Sequence, residues 1–158
     1  MEKTVVEIAQ EDEHKKLVDN LQNLIEKNYD AEEGYKKAME KADNMELKKY
    51  LNNRAVLRNG FAQELSNTVL GLNETPKTSG STTGVLHRTW MNLVDAFSSN
   101  SDEGILEECI RGEKASVEEY KEFLEDTRLP ENITATVTNQ MFKVEETLSE
   151  IKYLEDIV

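Results

Sequence analysis

The chain has 158 residues, 32 acidic against 19 basic side chains and a formal net charge of −13, which describes one acidic domain with room for a single core. Two prolines and seven glycines are too little turn chemistry for a sandwich or barrel, so the fold class expected is all-α. The charge excess excludes nucleic acid and anionic membrane as partners over most of the surface.

The first twenty residues are charged throughout and hold no apolar run long enough for a signal peptide or a membrane span, so a cytoplasmic location is expected. Cys109 is the only cysteine. No intramolecular disulfide or thiolate metal cluster can form, and a reduced, buried thiol is the reading of that position.

In chain order, Leu17, Leu21, Leu24, Asn28, Ala31, Tyr35, Ala38 and Ala42 alternate spacings of four and three, which predicts a first helix over about 11–43. Asp43 and Asn44 offer turn and capping chemistry. Leu47, Leu51, Arg54, Arg58, Phe61, Leu65, Thr68 and Leu72 then repeat the spacing in a second helix, about 45–72, which the short connection makes an antiparallel neighbour.

Residues 73–84 are polar, contain Pro76, Gly80 and Gly84 and lack apolar periodicity, so they read as an exposed, flexible loop. A short helix is expected next, with Leu86, Trp90, Leu93 and Phe97 on one face. Leu106, Cys109, Glu113, Ser116, Tyr120 and Phe123 mark a helix over about 102–127. After Leu129 and Pro130, a last helix over about 131–157 carries Val137, Met141, Val144, Leu148 and Ile151. Two helical hairpins joined by a long connection predict a four-helix bundle whose crossover travels the bundle's length and contains a short fifth helix.

Three seams are interrupted by a polar group: Asn28, Arg58 and Glu113. Asn28 lies 16 residues before the first turn near position 44 and Arg58 lies 14 after it. Glu113 and Glu145 each lie 16 residues from the second turn near 129. Four polar residues from four helices are therefore expected at one level, with Arg54 as a further candidate. A buried Arg58 needs a buried carboxylate, and Glu113 is the natural partner. Such a layer could fix helix register, or hold a ligand or metal, or be avoided by an Arg58 that snorkels to solvent.

The segments DAEEGYKKA at 30–38, TGVLHRTWMNL at 83–93 and ILEECIRGEKASVEEY at 105–120 resemble a bacterial family of ferritin-like four-helix-bundle proteins of unknown function. The resemblance covers roughly residues 15–155. Ferritin-like oxidases such as rubrerythrin hold two metals with a glutamate seven positions before a tyrosine on one helix of each hairpin, and a Glu-x-x-His pair on the other. On that resemblance Glu113 and Tyr120 match, Asn28 stands in for the glutamate paired with Tyr35, and the two Glu-x-x-His pairs read Arg58-x-x-Phe61 and Glu145-x-x-Leu148. No cofactor is expected; the alternative is iron or manganese on Glu113 and Glu145.

His14 and His87 are the only histidines, and His87, Arg88 and Trp90 form a candidate small-ligand site at the start of the short helix. The function expected is a non-enzymatic binding or stress-associated protein, with an unidentified protein or a second copy, as a homodimer, for its partner. The rival expectation is a metal-binding protein or oxidase with a reduced carboxylate site.

Overall fold

A computed structural model describes residues 2–81 and 102–155, with side chains as far as 151. It contains four helices: α1 (Val5–Lys41), α2 (Met45–Gly71), α3 (Asp102–Leu124) and α4 (Glu131–Glu155). No strand occurs among the described residues. The segment 82–101, where a short crossover helix is expected, and with it His87, Arg88 and Trp90, lies outside the described residues.

Each boundary has a local cause. Thr4 and Glu7 form a capping box, so α1 starts at Val5, earlier than the apolar seam alone predicts. Asn44 caps α2 by accepting from the Leu47 amide at 3.1 Å. At the far end of α2, Asn73 adopts φ 63°, and its amide and that of Glu74 donate to the carbonyls of Leu70 and Val69. This is a Schellman stop, with asparagine in the left-handed position usually given to glycine.

Packing runs chiefly between α1 and α2, α3 and α4, α1 and α3, and α2 and α4. The Asp102 carboxylate at the start of α3 accepts from the amides of Asp43 and Asn44, both at 2.8 Å, so α3 begins beside the α1–α2 turn. Arg128, past the end of α3, pairs with Glu13 near the start of α1 at 2.8 Å. The helices thus run up, down, down, up, and the connection from 72 to 101 must climb the bundle. Two apolar clusters fill the interior. One gathers Ala31, Ala38, Leu47, Leu51, Leu106 and Cys109, and the other Leu21, Ile25, Phe61, Leu65, Val137 and Val144.

Residues 73–81, expected to be a flexible loop for want of an apolar anchor, have polar anchors. His14 meets Glu74 at 3.1 Å. The Gln22 amide donates to the Thr75 carbonyl at 2.8 Å and accepts from the Lys77 amide at 2.9 Å, as a neighbouring peptide would. Lys77 pairs with Glu26. Asp30 accepts from the Ser81 amide at 2.9 Å and hydroxyl at 2.7 Å. Gln22, Glu26 and Asp30 are spaced by four, so one outer stripe of α1 holds the segment turn by turn.

A Cβ at Gly80 would overlap the Asp30 carboxylate and come within 3.2 Å of the Asp30 amide, so an alanine there fits only if that side chain moves. Gly80→Ala is therefore expected to push the carboxylate away and release Ser81. The loss should be about 1–2 kcal/mol in urea unfolding, with faster amide hydrogen exchange at Ser81. Unchanged exchange would show that the Asp30 clasp does not hold the segment.

Candidate functional site

Between the two apolar clusters lies a layer of polar side chains. Arg58, 2% exposed, projects from α2 into the centre of the bundle. Its Nη1 donates to Asn28 Oδ1 and its Nη2 to Glu113 Oε1, each at 2.9 Å. Glu113 itself is 1% exposed and Asn28 wholly buried. Both Glu113 oxygens are engaged: the Tyr35 hydroxyl donates to Oε1, and the Thr147 hydroxyl, 3.0 Å from Oε2, shares its proton with the Val144 carbonyl at 2.7 Å.

The network continues away from the ion pair. The Asn28 amide donates to the Leu24 carbonyl at 2.9 Å and to the Tyr120 hydroxyl at 3.0 Å. Tyr120 in turn donates to Gln140 Oε1 at 2.7 Å. Gln140 closes the chain by donating to the Phe61 carbonyl at 3.3 Å and to Glu64 at 2.7 Å, near the surface. The two tyrosines are used reciprocally, since Tyr35 of α1 serves the polar residue of α3 and Tyr120 of α3 serves that of α1.

Three of the four residues expected in the layer, Asn28, Arg58 and Glu113, are brought together here, and the Arg58–Glu113 contact is a buried ion pair. Glu145 is not with them. It is exposed on the outside of α4, whose inward seam runs Ile133, Val137, Gln140, Val144, Thr147 and Ile151. Distance from the turn sets a residue's height on a helix but not its direction, and Glu145 follows the inward Val144 by about 100°. Gln140 and Thr147 take its place. Their signal was an unbroken four-three spacing, obscured by Met141 and Leu148, which are only half-buried. Arg54 also stays out of the layer, with Nη1 3.6 Å from Glu150 and its guanidinium 5.2 Å from the centre of the Tyr50 ring.

Burial sets the electrostatics. Burial pulls on the Arg58 guanidinium's charge, yet Glu113 beside it more than compensates and raises its pKa further above the ordinary arginine range. Burial, then the Glu113 charge, pushes Tyr35 and Tyr50 well above the usual phenol range. Tyr120 is pushed up to about 12, burial again leading and Arg58 opposing it. Cys109 is buried, and burial followed by Glu113 drives its thiol away from the reactive thiolate form.

Two outcomes are expected of this layer. Removing Arg58 alone, as Arg58→Met, strands a buried carboxylate and should cost about 3–5 kcal/mol, whereas Arg58→Met with Glu113→Leu should be close to neutral or stabilising. A double-mutant cycle in denaturant measures that asymmetry. The second concerns alkali. An unfolded tyrosine ionises near 10 and folded Tyr120 near 12, so stability is complete below pH 10 and drains away as pH rises toward 12. The tyrosinate absorbance contributed by Tyr120, read as the difference from Tyr120→Phe, should rise together with the loss of helical circular dichroism rather than ahead of it.

No curated protein matches the chain. The family described as Domain of unknown function (DUF2383) matches residues 16–126, a span that holds Asn28, Tyr35, Arg58, Glu113 and Tyr120. That span is well over half of the sequence, and the chain belongs to this family.

Proposed function

We propose that this protein is a non-enzymatic, ferritin-like binding or stress-associated bundle, in which a closed polar layer stands where ferritin-like oxidases hold two metals. One observation carries the reading: the Arg58 guanidinium bridges Glu113 and Asn28 at 2.9 Å each, at the centre of the four helices. A fixed cation there has the charge sign that a metal would supply. A di-metal centre needs several carboxylates and imidazoles around two ions about 3.5–4 Å apart. The donors gathered here are one carboxylate, two amides, two phenols and a threonine hydroxyl, and both carboxylate oxygens already accept hydrogen bonds. This donor set does not fit such a centre.

The competing reading, iron or manganese on Glu113 and Glu145, requires those two side chains to share an ion. Glu113 is buried at the bundle centre and Glu145 is exposed on the outer side of α4, an arrangement that favours the metal-free reading. The up, down, down, up order with one long crossover supports the ferritin-like assignment.

Protein purified without chelator should contain less than one-tenth of an equivalent of iron, manganese or zinc per chain by elemental analysis. One or more tightly held metals per chain, lost on Glu113→Gln, would overturn the reading.

A further inference from the structure

Gly60 lies in the interior of α2, where glycine is the poorest helix former after proline. Packing does not ask for it. The position is exposed, and a Cβ added there would meet nothing within 4 Å. Asn59 precedes it, and the two form the single Asn-Gly pair of the chain. That pair has a chemistry of its own. The backbone nitrogen after an asparagine can attack the asparagine's side-chain carbonyl, and glycine, with no Cβ, hinders that attack least.

We infer that Asn59 is a self-modification site, with water as its co-reactant, held latent by the fold of α2. The Gly60 nitrogen bonds to Asn59 Cγ and closes a succinimide ring. The side-chain amide nitrogen leaves as ammonia, taking the proton that the Gly60 nitrogen gives up. Water then adds to either ring carbonyl and breaks its bond to the ring nitrogen. The product is aspartate, or isoaspartate with the main chain rerouted through Cγ. The sum is one water consumed and one ammonia released, with no change of oxidation state.

Three restraints keep the folded protein from reacting. Inside α2 the Gly60 amide donates to the carbonyl four residues back, and helical dihedrals hold its nitrogen away from Asn59 Cγ. The half-buried Asn59 side chain is tied down, donating from Nδ2 to Glu32 Oε1 at 3.2 Å. Arg58, the preceding residue, is fixed by Glu113 and Asn28 at 2.9 Å each, so this turn cannot unwind without drawing the buried ion pair apart. Conversion therefore follows the population of molecules in which α2 has opened. It also leaves a mark. A new carboxylate faces Glu32, 14% exposed, in place of an amide donor, and isoaspartate puts an extra main-chain carbon one residue from Arg58. An opened molecule is thus converted into one that closes less well. None of this depends on the function proposed for the bundle.

Incubation of the full chain at mildly alkaline pH, followed by peptide mapping by mass spectrometry and enzymatic isoaspartate labelling, tests the inference. In urea above the unfolding transition, Asn59 should convert ahead of every other asparagine. Without urea the folded protein should convert there at least about tenfold more slowly. Gly60→Ala, which its open surroundings accommodate, should slow conversion in urea at least about tenfold and keep the helical circular dichroism. Arg58→Met, whether it stays folded or opens, should convert without urea at least about tenfold faster than the wild type. Conversion in urea led by another asparagine, a folded rate equal to the unfolded one, or an Arg58→Met rate equal to that of the wild type would overturn the proposal. So would converted protein, isolated by its added charge, that refolds with the wild-type urea midpoint.

Discussion

Placing the Arg58 guanidinium at the centre of a helical bundle removes its hydration, a loss of several kcal/mol unless acceptors of the right charge and direction replace the water. Glu113 supplies the charge and Asn28 a second oxygen. Those two must then be held in place, which Tyr35 and Thr147 do for the carboxylate and Tyr120 for the amide. Every helix contributes a member. The rotation of each helix about its own axis is set by this demand more sharply than by the apolar residues above and below, where one leucine can stand in for another with little change.

A second device works on the outside of α1. The stretch after α2 has little apolar material to bury, yet it lies along the helix through Gln22, Glu26 and Asp30. Exposed contacts of this kind are individually weak, the Lys77–Glu26 pair among them. The Asp30 carboxylate is different because it is 3% exposed and receives both the amide and the hydroxyl of Ser81. The described part of the crossover, residues 73–81, is therefore fixed most firmly at about the level of the buried ion pair. Asp30 lies two positions from Asn28, so one short stretch of α1 serves the core on one side and the crossover on the other.

The sequence pattern revealed four helices and their pairing because apolar residues repeated at alternating spacings of four and three for many turns. The same seams exposed Asn28, Arg58 and Glu113 as interruptions, and mutual charge requirement was enough to join two of them. The Glu145 assignment failed for a definable reason: height along a helix was fixed by counting from the turn, while azimuth was left to chemical plausibility. A glutamate looked like the better member of an ionic layer, whereas the geometry uses Gln140 and Thr147. The start of α1 was misplaced because its first turns, exposed from Val5 to Lys16, carry no core seam to read, and the capping box at Thr4 and Glu7 was the signal that marked it. Hydrogen bonds between Gln22 and the backbone of residues 75 and 77, one donated and one accepted by the side chain, have no sequence signature at all.

The reciprocal use of Tyr35 and Tyr120 has a bearing on how the chain folds. Each tyrosine leaves its own hairpin to satisfy a polar group in the other, and Arg58 does the same toward Glu113. A half-built molecule containing only the α1–α2 hairpin would hold an arginine without its carboxylate, and one containing only α3–α4 a carboxylate without its arginine. Neither half is a satisfactory resting place, although each is topologically simple and local. The layer thus acts as a cooperativity device, tying the two hairpins into one all-or-none transition and disfavouring partly folded species in which either member of the ion pair lacks the other.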